Sequence, residues 1–409
     1  MDSLNSSELP EKLQYQIIKE KHSSIPQIMQ NNQIDCWIVF VRETMINKDP
    51  IFDLIIGGQV VWESAFIFAN TQNLFKKIAI VGNFDVAAFE VKNIWDQVIG
   101  YTEGISQPLR EVIDNVNPQL IALNYSINDV IADGLTYGMF LKIKDILSHN
   151  HEKFCTAAPL IQSIKGIKSK TEIKLISEAC KLTETINQNI TSQLKPDLSE
   201  TKIQHLFYNE IEKYNVGHAW AKSSCPSIDA GPEKQIGHIG PSSNNFVKRG
   251  HTLHNDFGIK LTGYCSDLQR MWFFGSPSEL PLELRHGFDT VYNAISLAAE
   301  EIKPGIAGYL IDQIAREYVV SQGYAEFPHA LGHQVGTNAH DGGTILGPLW
   351  ERYGNTPYGL IEKGNIFTLE LHVKTRNYGY ISLEEMVVVE ENFVKFLVPR
   401  QTDYIYINI

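Results

Sequence analysis

Between residues 8 and 150, short apolar runs alternate with amphipathic stretches. The runs at 36–41, 64–69, 77–81 and 120–124 predict strands, and helical spacing near 13–30, 84–94, 107–116 and 136–148 predicts helices. Such alternation predicts an α/β domain with a largely parallel sheet. Its glycines form neither Gly-x-Gly-x-x-Gly nor a phosphate-binding loop, so it reads as a scaffold or dimerisation domain without chemistry of its own.

The texture changes after a joint at 151–170, which carries Pro159, Gly166 and the basic residues Lys165, Lys168 and Lys170. A long helix is predicted from Thr171, with Ile173, Ile176, Ala179, Leu182 and Ile186 on one face. Asp197 followed by Glu200 resembles a capping box opening a second helix to about Tyr214. Lys195-Pro196 with Ile203, Leu206 and Ile211 is echoed without gaps by Lys303-Pro304 with Ile311, Ile314 and Val319. The echo predicts a duplicated α+β unit in the second half. The chain is therefore expected to hold an N-terminal α/β domain over 1–160 and a second domain over 161–409.

Composition narrows the function classes. With 43% hydrophobic and 20% charged residues over 409 positions, a sizeable core can be buried. A net charge of −12 argues against nucleic acid or an anionic membrane as the main partner. No apolar run approaches the ~20 residues that span a bilayer, and no basic, apolar leader pattern is visible. Cys36, Cys155, Cys180, Cys225 and Cys265 are odd in number and lack Cys-x-x-Cys, which suggests reduced thiols in a cytoplasmic protein.

The chemistry concentrates in two predicted hairpins. Strands at 251–260 and 264–274 would be joined by Leu261-Thr262-Gly263, which sets Asp256 directly opposite Asp267. Strands at 365–374 and 380–389 around Asn377-Tyr378-Gly379 would set Glu370 opposite Glu384. Facing acids among apolar neighbours need shared protons or cations. Between the hairpins lie His329, His333 and, seven residues on, His340. Four carboxylates with one neutral imidazole suit two divalent ions such as Mn²⁺, Co²⁺, Fe²⁺ or Zn²⁺.

The order Asp256-x10-Asp267, His329-x-x-Gly-His333-x-x-Gly-x3-His340, Glu370, Glu384 resembles the pita-bread metallopeptidases: Xaa-Pro dipeptidase, aminopeptidase P, methionine aminopeptidase and the metal-free creatinase. The likeness covers about 165–399 by motif, and 1–160 fits a creatinase-type N-terminal domain in layout. It implies a metal set of Asp256, Asp267, His333, Glu370 and Glu384, with Asp267 and Glu384 bridging two ions, manganese first among candidates. It further implies Glu370 as proton carrier, His238 as a substrate-side proton-handling residue, His340 at the oxyanion and His329 in the substrate pocket. The implied activity is hydrolysis of the Xaa-Pro bond of dipeptides or short peptides by a homodimer. Alternatives on the same fold are a metal-independent, creatinase-like C–N hydrolase and a non-catalytic peptide-binding protein. Two departures stand out: Leu371-His372 where many members have Pro-Gly after the first Glu, and Ser382 where many have Arg.

Overall fold

All six residues of β1 (Cys36–Val41) are buried, as a central strand covered on both faces requires. The structure, a computed structural model, describes residues 7–71, 74–232 and 240–408. It divides into two compact units, Pro10–Lys165 and Gly166–Ile409, the latter joined by residues 7–9.

In the first unit β1 pairs with β2 (Ser64–Thr71), β2 with β3 (Leu74–Gly82) and β3 with β4 (Gln97–Tyr101). On its other side β1 pairs with β5 (Ile121–Leu123), and β5 with β6 (Phe154–Thr156). The order is β4-β3-β2-β1-β5-β6. The expected largely parallel sheet is instead mixed, because β1–β2 and β2–β3 are antiparallel. Only residues 72 and 73 separate β2 from β3, too few for the crossover that parallel neighbours need. The helices are α1 (Glu11–Asn31), α2 (Phe52–Ile55), α3 (Val86–Glu90), α4 (Ser106–Val116), α5 (Tyr137–Ile146) and α6 (Ala158–Gly166). Ile38, Phe40 and Ile67 of the sheet pack with Leu109 and Ile113 of α4 and Ile143 of α5. The helix expected over 84–94 contracts to α3, and the chain turns at Asn93 with φ 50°.

The second unit opens with α7 (Lys170–Thr191), capped by Ser169, whose hydroxyl accepts from Glu172 N while Glu172 accepts from Ser169 N. The next helix, α8 (Glu200–Tyr214), is capped by Ser199 rather than by the expected Asp197. There follow β7 (Gly217–His218), β8 (Ser227–Ala230), β9 (Thr252–Phe257), β10 (Ile259–Leu261), β11 (Tyr264–Cys265) and β12 (Leu268–Phe273). The second half supplies α9 (Leu282–Glu301), α10 (Gly308–Ser321), β13 (Ile366–Lys374), β14 (Tyr380–Val389), β15 (Val394–Phe396) and β16 (Ile405–Tyr406). One large sheet runs β13-β14-β12-β9-β8, so the halves meet where β12 pairs with β14.

Each half buries its own helix pair. Ile186 of α7 and Phe207 of α8 pack with Phe257 and Trp272, while Phe288 of α9 and Ile311 of α10 pack with Leu369 and Leu371. This is the duplicated α+β unit that the echo predicted. Strand alternation then fixes the other face: with Leu369 and Leu371 turned to the helices, Glu370 and His372 point away from them.

Candidate metal centre

Glu370 and Glu384 are direct register partners in the β13–β14 hairpin, as their equal spacing about Asn377 predicted. The other acid pair is set differently. Lys260 faces Cys265 and Leu261 faces Tyr264, so the turn is the two residues Thr262 and Gly263, with φ 50° and 80°. Both central residues at positive φ make a tight hairpin turn. The register about this turn sets Asp256 opposite Gln269, not opposite Asp267 as expected. Asp256 and Asp267 are still close enough for each to shift the other's pKa.

His333 reaches this face on a segment laid along β13. Thr368 N donates to His333 O (2.9 Å) and Glu370 N to Leu331 O (2.7 Å). The approach depends on Gly332, where an added Cβ would sit 1.9 Å from Thr368 O. His333 Nε2 lies 3.7 Å from Asp267 Oδ2 and 3.5 Å from Glu370 Oε1. Asp267, His333 and Glu384 each offer a ligand atom within 4.8 Å of the others.

Burial and mutual repulsion disfavour the ionised forms of these carboxyls unless a cation is bound. Burial, with the Glu370 charge adding, pushes Asp256 up to about 7. Burial likewise pushes Glu370 up to about 7, against the pull of the Gln269 hydrogen bond and His254. Asp267 and Glu384 are held well above the carboxylate range by burial and then by neighbouring carboxylates. Burial, then the His340 charge, lowers His333 to about 3, leaving a neutral imidazole with a lone pair. Asp256 Oδ1 and Glu384 Oε2 are buried with no hydrogen-bond partner. Orphaned oxygens on crowded acids beside a neutral imidazole fit a divalent metal site.

A family model for metallopeptidase family M24 matches residues 174–391, just over half of the chain. The chain belongs to metallopeptidase family M24. Among M24-like relatives, an uncharacterized peptidase of Bacillus subtilis is 28% identical over 64% of this chain and 69% of its own length. The Xaa-Pro dipeptidase of Pyrococcus horikoshii is 27% identical over 67% of this chain and 74% of its own. The fold matches the X-Pro aminopeptidase of Thermotoga maritima (TM-score 0.65, 20% identity, 95% of this chain and 99% of that one). It also matches the Xaa-Pro dipeptidase of Bacillus anthracis (TM-score 0.71, 19% identity, 95% and 100%). As an M24 enzyme the chain is a metallopeptidase.

Within this M24 unit the remaining expected residues are placed as follows. His340 is exposed, its ring centroid 4.3 Å from that of His333 and edge-on to it. Its neighbour Asp341 is buried in an ion pair with Lys168 at 3.1 Å, which anchors the loop. His329 donates from Nδ1 to Ala330 O (2.8 Å) and lies 3.1 Å through Nε2 from His372 Nδ1. His238 lies outside the described residues.

Several site residues escaped the sequence reading. Gln269 bonds Glu370, and His254 bonds both Gln269 and Asp229. Burial alone would lower the His254 pKa, but the Asp229 hydrogen bond and charge raise it. Buried Arg270 donates to Glu384 O (3.0 Å) and pairs with Glu385 (3.2 Å), stitching β12 to β14. Period-two spacing from Asp267 and Asp256 signals Gln269 and His254. Nothing local signals Asp229.

A pH prediction follows. Asp256 and Glu370 titrate near 7 when folded but near ~4 when unfolded, so the folded metal-free protein binds more protons between those values. Their contribution to stability is complete below about pH 4 and is lost as the pH rises through about 7. Thermal melts of metal-free protein should therefore show a falling Tm from about pH 5 to about pH 8. Added Mn²⁺ should raise Tm more at the higher pH; equal shifts at both would contradict the assignment.

Proposed function

We propose that this chain is a dinuclear metal-dependent hydrolase that cleaves the Xaa-Pro bond of dipeptides or short peptides. The observation that carries the reading is the grouping of Asp267, His333 and Glu384, with Glu370 opposite Glu384, Asp256 beside Asp267 and buried carboxylate oxygens lacking partners. Those five residues would hold two divalent ions, manganese first among them. When bound, such ions lower the pKa of an attacking water and polarise the scissile carbonyl.

The protein's own groups do the rest. Glu370, whose Oε2 is held by Gln269 (3.2 Å), would carry a proton to the leaving amine. His340, exposed beside His333, offers an imidazole N–H to the developing oxyanion. His329 and His238 serve the substrate side. The preference for proline rests on the relatives named Xaa-Pro dipeptidase. We also read the working form as a cytoplasmic homodimer, which a dimeric mass by light scattering would support. Among the described residues no helix is long and apolar enough to cross a membrane.

A cleavage panel of Xaa-Pro dipeptides, Xaa-Pro tripeptides and matched non-proline peptides tests the reading. Hydrolysis of the proline peptides only after metal loading is expected. Equal rates on non-proline controls would refute the specificity, and equal rates in chelator would refute the metal dependence.

A further inference from the structure

Gln269 stands on β12 with Asp256 as register partner on one side and Glu384 on the other. Both ends of its amide are engaged. Nε2 donates to Glu370 Oε2 at 3.2 Å, while Oε1 accepts from His254 Nε2 at 3.0 Å and from the Ser382 hydroxyl. Behind it, His254 Nδ1 donates to Asp229 Oδ2 at 2.8 Å. Gln269, His254, Asp229 and Ser382 are all buried. A carboxylate accepts hydrogen bonds, so a reversed amide would set Oε1 against Glu370.

We propose that Gln269 is a positioning residue for Glu370: it reserves Oε2 and leaves Oε1, 3.5 Å from His333 Nε2, as the oxygen presented to the metal set. Asp229 through His254, together with Ser382, fixes the amide that does this. Ser382 thereby has a task where relatives of the family pattern carry Arg. The proposal rests on the assignment of Glu370 to the metal set.

Calorimetric metal titration and the visible spectrum of Co²⁺-loaded protein provide the test, alongside kinetics. Gln269→Met should weaken metal binding about 10–100-fold, the usual cost of losing a partner behind a ligand. It should also alter the Co²⁺ spectrum and lower kcat more than it changes KM. Ser382→Ala should produce a smaller change of the same kind, and no further change in the Gln269→Met background. Unchanged affinity and spectrum in Gln269→Met, or a Ser382 effect that persists in full without Gln269, would overturn the proposal. Should Gln269→Met not fold, Ser382→Ala decides alone, an unaltered spectrum counting against the proposal. Glu370→Gln separates the two assignments. Full metal affinity there removes Glu370 from the metal set; lost affinity there, with Gln269→Met and Ser382→Ala unchanged, removes only the positioning role.

Discussion

Glu384→Gln should strip the enzyme of tightly bound metal and lower turnover on the order of 10³-fold or more, while leaving the metal-free protein more stable than the parent. The two effects have one cause. Glu384 is buried, faces Glu370 across the hairpin and leaves Oε2 without a hydrogen-bond partner. A neutral amide of the same shape relieves that repulsion, which is worth on the order of 1 kcal/mol near pH 8. The same amide is a poor ligand, and on the proposed assignment Glu384 would serve both ions. Asp267→Asn should behave alike, since Asp267 is also buried among carboxylates. Metal content, turnover and a thermal melt on one preparation suffice. Near-normal turnover in either variant would show that the ligand set is wrong.

His340→Ala should lower kcat about 10²–10³-fold, equivalent to ~2.7–4 kcal/mol, with metal content and KM nearly unchanged. The competing explanation is that His340 merely packs its loop. Asp341, buried against Lys168, anchors the loop, while the exposed His340 ring stands beside His333. Truncating an exposed ring leaves no core cavity. Turnover per metal-loaded site, measured with a melt, discriminates: normal kcat with a lowered Tm would refute the catalytic role.

Which features were legible in the sequence follows from how local their causes are. The Glu370–Glu384 pairing could be read because both strands alternate cleanly about Asn377. The Asp256–Asp267 pairing differs by two residues: a three-residue turn over Leu261-Thr262-Gly263 would already set Asp256 opposite Leu268, and the two-residue turn, with β-branched Thr262 at positive φ, adds the second. A two-residue turn with Thr in that position is not what propensity suggests. The strand directions of the N-terminal sheet differ from expectation for a similar reason. The apolar runs 64–69 and 77–81 are separated by seven residues, yet β2 and β3 extend until only residues 72 and 73 divide them. The Ser169–Glu172 capping box is a local pattern that the sequence carries in full. Asp229 was beyond reach, because only the β8–β9 pairing brings it opposite His254.

The most direct test is elemental analysis of protein loaded with Mn²⁺ and then dialysed, taken together with its rate on an Xaa-Pro dipeptide. The account predicts about two ions per chain, lost with activity in Asp267→Asn. Hydrolysis by protein holding no metal, with all five residues intact, would contradict it.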